Sequence, residues 1–312
     1  MASPIGNLRT AVVALALCAV CACAVGKPVD LPFDFSRGAI GLDVTVRGTP
    51  LYVILDTGVD PSVIDIARAR DLALAIDRDK GGEGSGVGGG KAPMAYPTTI
   101  NGLAIGGAAY SPFSALTSDL GVLSARYGRR LDGVLGYSFI RDKTLLIDYP
   151  RQRLIIADDA KETAASLRSC RTRWSMPLKF LGDDNTPVLA AFRFGGASGP
   201  ATLDTGSNGA VTIFPRALDL AGVRSALTAR GAATHTGFRG DERSTTYVFG
   251  QPVGFGPFLL PAGQVLTLGK PADGGDTRVA NIGNKVFAAL KLKILLDYRA
   301  GRIGFYGQCD SA

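Results

Sequence analysis

Leu55-Asp56-Thr57-Gly58 and Leu203-Asp204-Thr205-Gly206 are the same four residues met twice, each time at the end of an apolar run. An aspartate in that context sits just past a strand end, and two of them in matching surroundings point to one shared catalytic centre. Water held between two carboxylates is deprotonated by one while the other, still carrying a proton, hydrogen-bonds the carbonyl under attack. Such chemistry needs no metal, no cofactor and no covalent intermediate. Like charges close together in a partly desolvated cleft do not both ionise readily, so the pair keeps one proton over a useful pH range. The two apparent pKa values belong to the pair, and the sequence assigns the proton to neither member.

Around the aspartates runs a longer repeat, from about Asp30 to Asp158 and again from about Trp174 to Cys309. The first copy opens with Leu31-Pro32-Phe33-Asp34-Phe35, alternates from Gly41 to Arg47, and delivers Asp56 at the end of Leu51 to Leu55. The second opens with Met176-Pro177-Leu178-Lys179-Phe180, alternates from Val188 to Phe194, and delivers Asp204 after Ala201 to Leu203. Further on, Leu131-Asp132-Gly133-Val134-Leu135-Gly136 has its counterpart in Asn281-Ile282-Gly283. Both copies finish as an apolar strand, an Asp-Tyr turn with basic residues and another apolar strand, at Leu145 to Ile156 and Ile294 to Tyr306, as a hairpin requires.

The chain has 312 residues, 46% of them hydrophobic and 20% charged, enough to bury a substantial core and unlike extended disorder. Its 41 glycines punctuate short β-branched and apolar segments, which predicts an all-β molecule of many strands joined by tight turns. Helices are expected to be few and short: one opened by Asp60-Pro61 and running through Arg70, and a counterpart starting over Pro215 to Leu220. The formal charge of +7 is spread without aromatic-basic alternation, so no nucleic-acid partner is expected. The densest basic cluster, Arg126, Arg129 and Arg130, reads as surface or rim.

Residues 1–24 read as a signal peptide: Arg9, an apolar stretch from Ala11 to Val25, and the small residues Ala22-Cys23-Ala24 at a cleavage site. Export to the periplasm or exterior follows, with an uncleaved anchor or acylation of Cys23 as the routes to a membrane. Residues 25–158 then form a first lobe, 159–173 a polar connection and 174–312 a second lobe. Losing the leader removes Cys18, Cys21 and Cys23. In an oxidising compartment the remaining Cys170 and Cys309 are expected to form a disulfide, with two free buried thiols as the alternative.

At this point the residues resemble the pepsin-like and retroviral-like aspartic proteases, through the two Leu-Asp-Thr-Gly loops and the elements Val134-Leu135-Gly136 and Asn281-Ile282-Gly283. The resemblance implies a bilobal pepsin-like fold of two similar β-barrel-like lobes. The aspartates would meet at the lobe interface beneath a β-hairpin flap, with Asp56 and Asp204 catalytic. It also implies that Thr57 and Thr205 bond across the interface, while Gly58 and Gly206 let the loops approach without a Cβ clash. Ser207 completes the second loop, but Val59 follows the first, so the two carboxylates should differ in hydrogen bonding. Asn281 stands where the family carries an apolar residue.

The flap falls in the glycine-rich run Gly81 to Lys91, with Gly86 near its middle. Tyr96, shortly after it, reads either as a cover for the cleft or as a half-buried strand residue. Phe238, Tyr247 and Phe249 of the second half either line side-chain pockets or pack the lobe. Only Val25 to Leu31 separates the leader from the first strand, so activity without removal of an inhibitory segment is expected.

The single histidine, His235, argues against a His-dependent triad or a His-rich zinc site. The glycine run lacks the Gly-Lys-Ser/Thr of a phosphate loop. The reading is an aspartic endopeptidase acting as a monomer on an extended peptide or protein. A non-catalytic peptide-binding protein on the same scaffold is the alternative.

Overall fold

The computed structural model describes residues 27–181, 184–271 and 277–310; the leader and Cys18, Cys21 and Cys23 lie outside that range. Three sheets organise the described chain. The first follows the order Gly82–Glu83, Met94–Ile100, Phe113–Ser118, Ser62–Asp65, Gly133–Leu135, Thr49–Leu55, Ile40–Val46, Leu103–Ile105, Ala108–Ala109. The second runs Leu227–Gly237, Gly240–Phe249, Gln264–Leu268, Val211–Ile213, Ala280–Ile282, Ala197–Leu203, Asp184–Phe194, Val253–Phe255, Phe258–Leu260. Strand for strand these are the same order, so the sequence repeat is a structural one. The molecule is all-β and bilobal.

The third sheet joins the halves. Its six strands are Val29–Pro32, Arg153–Ala157, Thr144–Asp148, Lys293–Asp297, Arg302–Cys309 and Cys170–Pro177, three from each copy. The central pair is antiparallel, with Leu146 opposite Leu295, Thr144 opposite Asp297 and Asp148 opposite Lys293. Side chains of a strand alternate between faces. Accordingly Leu145, Ile147, Ile294 and Leu296 join the main core, while Leu146, Ile155 and Leu295 meet Leu167 on the other side. Each such apolar side chain stabilises by roughly 1.5–3 kcal/mol when fully buried. Lys293, 2% exposed, reaches Asp148 at 2.8 Å and the Ser166 carbonyl at 2.9 Å, so the buried charge is paired.

The polar connection is therefore only partly a connection. A short turn Ala160–Thr163 and helix Ala164–Leu167 place Leu167 under the shared sheet, and from Cys170 the chain is already its edge strand. Cys170 lies opposite Cys309 on that edge, and the two form a disulfide. A disulfide of this kind points to an oxidising compartment.

The first helix is shorter and later than Asp60-Pro61 suggested. Ser62–Asp65 is instead a strand, paired with Gly133–Leu135 and Phe113–Ser118, and it claims the residues that would have formed the first helical turn. The helix is Ile66–Asp71, capped by Asp65, whose Oδ1 accepts the amides of Ala67 at 3.1 Å and Arg68 at 3.2 Å. Pro215–Asp219 closes only as a 3₁₀ turn. No helix among the described residues is long and apolar enough to cross a membrane.

Two members of the basic cluster, Arg129 and Arg130, have a structural task. Arg129 lies over the Tyr52 ring at 3.6 Å and pairs with Asp43 at 2.8 Å. Arg130 and Arg68 both reach Asp132, at 3.0 and 2.7 Å, and the buried Asp132 in turn accepts the Tyr52 amide at 2.9 Å.

Candidate active site

Each aspartate is delivered by the strand before it and fixed by the strand beside it. Thr49–Leu55 runs parallel to Gly133–Leu135, and the Asp56 amide donates to the Leu135 carbonyl at 3.0 Å. Ala197–Leu203 runs parallel to Ala280–Ile282, and the Asp204 amide donates to the Ile282 carbonyl at 3.0 Å. The glycines ending those neighbour strands let the next turn close on the loop. Tyr137 N donates to the Val59 carbonyl at 2.8 Å, and Asn284 N to the Ser207 carbonyl at 3.0 Å.

The two loops then lock to each other. Thr57 N donates to Thr205 Oγ1 at 3.0 Å and Thr205 N to Thr57 Oγ1 at 3.1 Å. Each hydroxyl passes its own hydrogen to the opposite strand, Thr57 Oγ1 to the Leu203 carbonyl at 2.7 Å and Thr205 Oγ1 to the Leu55 carbonyl at 3.0 Å. Both threonines are buried, so every hydroxyl uses donor and acceptor capacity inside the interface. Asn284 adds a further tie, donating to the Thr205 carbonyl at 2.7 Å while accepting from the Tyr149 hydroxyl at 2.7 Å.

This lattice brings Asp56 and Asp204 together. Burial pushes the Asp56 carboxyl well above the usual carboxylate range, the Asp204 charge raises it further, and the Gly58 and Gly206 amides oppose the rise. Gly58 N donates to Asp56 Oδ1 at 2.7 Å. Asp204 Oδ1 accepts Gly206 N and Ser207 N, both at 2.9 Å, and Asp204 Oδ2 accepts Asn281 Nδ2 at 2.7 Å. The glycines are tight by necessity: a Cβ on Gly206 would overlap the Asp56 carboxylate, and one on Gly58 would come within 3.2 Å of Asp204 Cγ.

A second bridge between the lobes, here called the roof, is made by two hairpins. The run from Gly81 forms a hairpin in which Gly82–Glu83 pairs with Met94–Ile100. Its counterpart in the second half is the longer hairpin Leu227–Gly237 with Gly240–Phe249, and the two tips meet. Arg239 N donates to the Val87 carbonyl at 2.9 Å, Gly90 N to the Arg239 carbonyl at 2.7 Å, and Gly89 N to the Asp241 carbonyl at 3.3 Å. Gly88, at φ +131, has no room for a Cβ beside the Gly240 backbone, and a Cβ on Gly86 would press on Phe238. Phe238 packs against a first-lobe cluster that contains Ile54, Leu120, Tyr127 and Val134, with Val59 at its edge. Ile54 and Val59 bracket Asp56 in sequence.

Among the residues singled out from sequence, Asp56, Asp204, Thr57, Thr205, Gly58, Gly206 and Ser207 come together, and Gly86 lies in the roof. Tyr96 sits on the strand Met94–Ile100, half-buried, with its ring against Gly81 and the Arg78 guanidinium 5.5 Å from its centroid. Tyr247 is half-buried in mid-strand between Ala229 and Leu266. Phe249 is fully buried in its own lobe against Phe194. His235 is exposed.

Sequence reasoning did not find Thr202, Asn284, Tyr149 or Tyr127. Tyr127 and Tyr298 carry buried hydroxyls with no partner among the described residues, and both are electrostatically coupled to Asp56. Asn281 was visible only as a departure from pattern. Setting the two repeats residue against residue reveals its partner: Ile54 and Val134 in the first copy become Thr202 and Asn281 in the second.

Residues 42–139 match the model of a family described as aspartyl protease. The chain is also similar to a solved structure, the crystal structure of basic 7S globulin from soybean. That likeness is at 13% identity, covering 91% of this chain and 95% of that one, with a TM-score of 0.48. No curated protein sequence matched.

Proposed function

We propose that this protein is an aspartic endopeptidase in which Asp56 and Asp204 activate a water molecule between them. The observation that carries the reading is the reciprocal threonine lattice, which serves to hold two carboxylates face to face at a lobe interface. Unpaired negative charges placed together are costly, and a fold that spends four buried hydrogen bonds on doing so has a use for the shared proton. One carboxylate takes a proton from water as its oxygen attacks the peptide carbonyl. The other gives its proton to the carbonyl oxygen, and the tetrahedral intermediate collapses with protonation of the leaving amine.

The substrate is an extended peptide or protein lying across both lobes. It reaches the aspartates beneath the hairpin roof, so the contact between Val87 to Gly90 and Arg239 to Asp241 opens on entry. The disulfide fits a protein exported to the periplasm or exterior by residues 1–24. Asp56, Asp204 and their supporting residues act with no metal or cofactor.

The closed roof also favours a second reading, a binding protein that grips a peptide without cutting it. Incubating the mature protein and its Asp204→Asn variant with a diverse peptide library from acidic to neutral pH, and mapping cuts by mass spectrometry, separates the two. Cuts made by the wild type alone are expected. Retention of intact peptides without a single cut supports the binding reading, and cuts shared by both proteins come from a contaminant and count against catalysis by this pair.

A further inference from the structure

Asp56 and Asp204 sit in unlike surroundings, and the difference begins two residues earlier in each strand. In the first lobe Ile54 lies beside Val134, and both belong to an apolar cluster. In the second lobe the same two places hold Thr202 beside Asn281. Thr202 is 2% exposed, so its hydroxyl must find an acceptor inside the protein, and it donates to Asn281 Oδ1 at 2.6 Å. An amide whose oxygen is engaged on one side presents its N–H groups to the other. There Asn281 Nδ2 donates to Asp204 Oδ2 at 2.7 Å.

The outcome is an unequal pair. Asp204 accepts three N–H donors, from Gly206, Ser207 and Asn281. Asp56 is 9% exposed, takes the Gly58 amide with the Gly206 amide shared between the pair, and has Ile54 and Val59 as sequence neighbours packed into or against an apolar cluster. Hydrogen bonds donated to a carboxylate favour its charged form, and apolar burial disfavours it.

On the endopeptidase reading above, we propose that Asn281, oriented by Thr202, is a positioning residue that holds Asp204 charged and leaves the shared proton on Asp56. The roles then separate. Asp204 is the base: the water O–H bond breaks toward it as the new C–O bond forms. Asp56 is the acid: the carbonyl π pair moves onto oxygen, which takes the Asp56 proton. Asp204 ends protonated and Asp56 ionised, so charge and protons balance. Each carboxylate oxygen has two acceptor positions, so the Asn281 bond does not block proton transfer to Asp204.

Among the described residues, three buried phenols interact electrostatically with the pair. Tyr149 feels the charge of Asp204, Tyr298 those of Tyr137 and Asp56, and Tyr127 those of Tyr52, Asp34 and both aspartates. Burial raises all three above the ordinary tyrosine value, so they stay neutral across the acidic to neutral range and do not titrate with the pair.

Two substitutions test this, Asn281→Val and Thr202→Val. The first copies the residue already tolerated at Val134, and the second is nearly isosteric. Carboxyl-carbon NMR of aspartate-labelled protein, titrated with acid, reads the pair without requiring turnover. The lower of its two apparent steps is expected to rise by about one pH unit in Asn281→Val, as loss of a hydrogen bond to a charged group implies, and by less in Thr202→Val.

For a peptide cut by the wild type, the acid limb of the kcat/KM profile should move by the same amount. KM should be nearly unchanged and kcat lower. A lower step that stays in place in both folded variants overturns the proposal, whatever the activity. A wild type that cuts nothing while the step moves as described would sink the endopeptidase reading and leave the role of Asn281 in charging Asp204 standing.

Discussion

Gly206 and Gly58 occupy equivalent positions, yet a methyl group at each meets a different obstacle. At Gly206 it overlaps the Asp56 carboxylate; at Gly58 it stands 3.2 Å from Asp204 Cγ, a contact that a few tenths of an ångström relieve. Gly206→Ala is therefore expected to cost about 1–3 kcal/mol of stability and about 100-fold in kcat/KM, because the Asp56 carboxylate and the new methyl must separate by roughly an ångström or more. Gly58→Ala should be the milder of the two on both scales, in thermal melts and peptide kinetics alike. Asp56 gives a pH prediction of definite sign. Its folded pKa lies above the ordinary 3.8, so the native chain binds more protons than the unfolded one and stability declines as pH rises from 3.8 through the folded value. Asp56→Asn removes that decline. Its melting temperature should exceed that of the wild type by a margin that widens with pH and then levels off; a margin that shrinks with pH would show that Asp56 is not held protonated by its surroundings.

At the scale of elements, the roof is the part least evident from sequence. The run Gly81 to Lys91 was expected to be a lid because glycines at that density suit a mobile hairpin, and a hairpin is what it forms. What it touches was not recognisable, since the Phe238 and Arg239 contacts join residues about 150 positions apart. The short helix shows a different limit. Asp60-Pro61 is a sound helix opening by local rules, but the pairing of Ser62–Asp65 with two neighbouring strands outweighs a preference of this kind, and the capping aspartate is Asp65. Phe238→Ala should weaken the roof without disturbing the lobes. Exchange of the Gly90 and Arg239 amides, each in a bond between the hairpin tips, is expected to speed up roughly five- to ten-fold, as loss of about 1 kcal/mol implies. Amides of the shared sheet should be unaffected, and unchanged exchange at Gly90 and Arg239 would mean that Phe238 does not hold the roof.

For the molecule as a whole, duplication made the architecture legible. Two copies of one pattern, each ending in an apolar hairpin, imply two similar lobes, and the hairpins Leu145 to Ile156 and Ile294 to Tyr306 are the strands that fuse them. The centre of the site was legible for the same reason, since the paired Leu-Asp-Thr-Gly loops announce themselves. The inequality between the aspartates was less so. Val59 against Ser207 signalled a difference, but the share carried by Thr202 and Asn281 emerges only when the strands set them side by side. The central claim is that Asp56 and Asp204 act as one unit, and a double-mutant cycle tests it most directly: kcat/KM for one cleaved peptide with the wild type, Asp56→Asn, Asp204→Asn and the double variant, each shown to be folded. Each single change should abolish nearly all turnover, and the double change should cost no more than either alone. Substantial turnover by either single variant, or losses that multiply in the double, would contradict it.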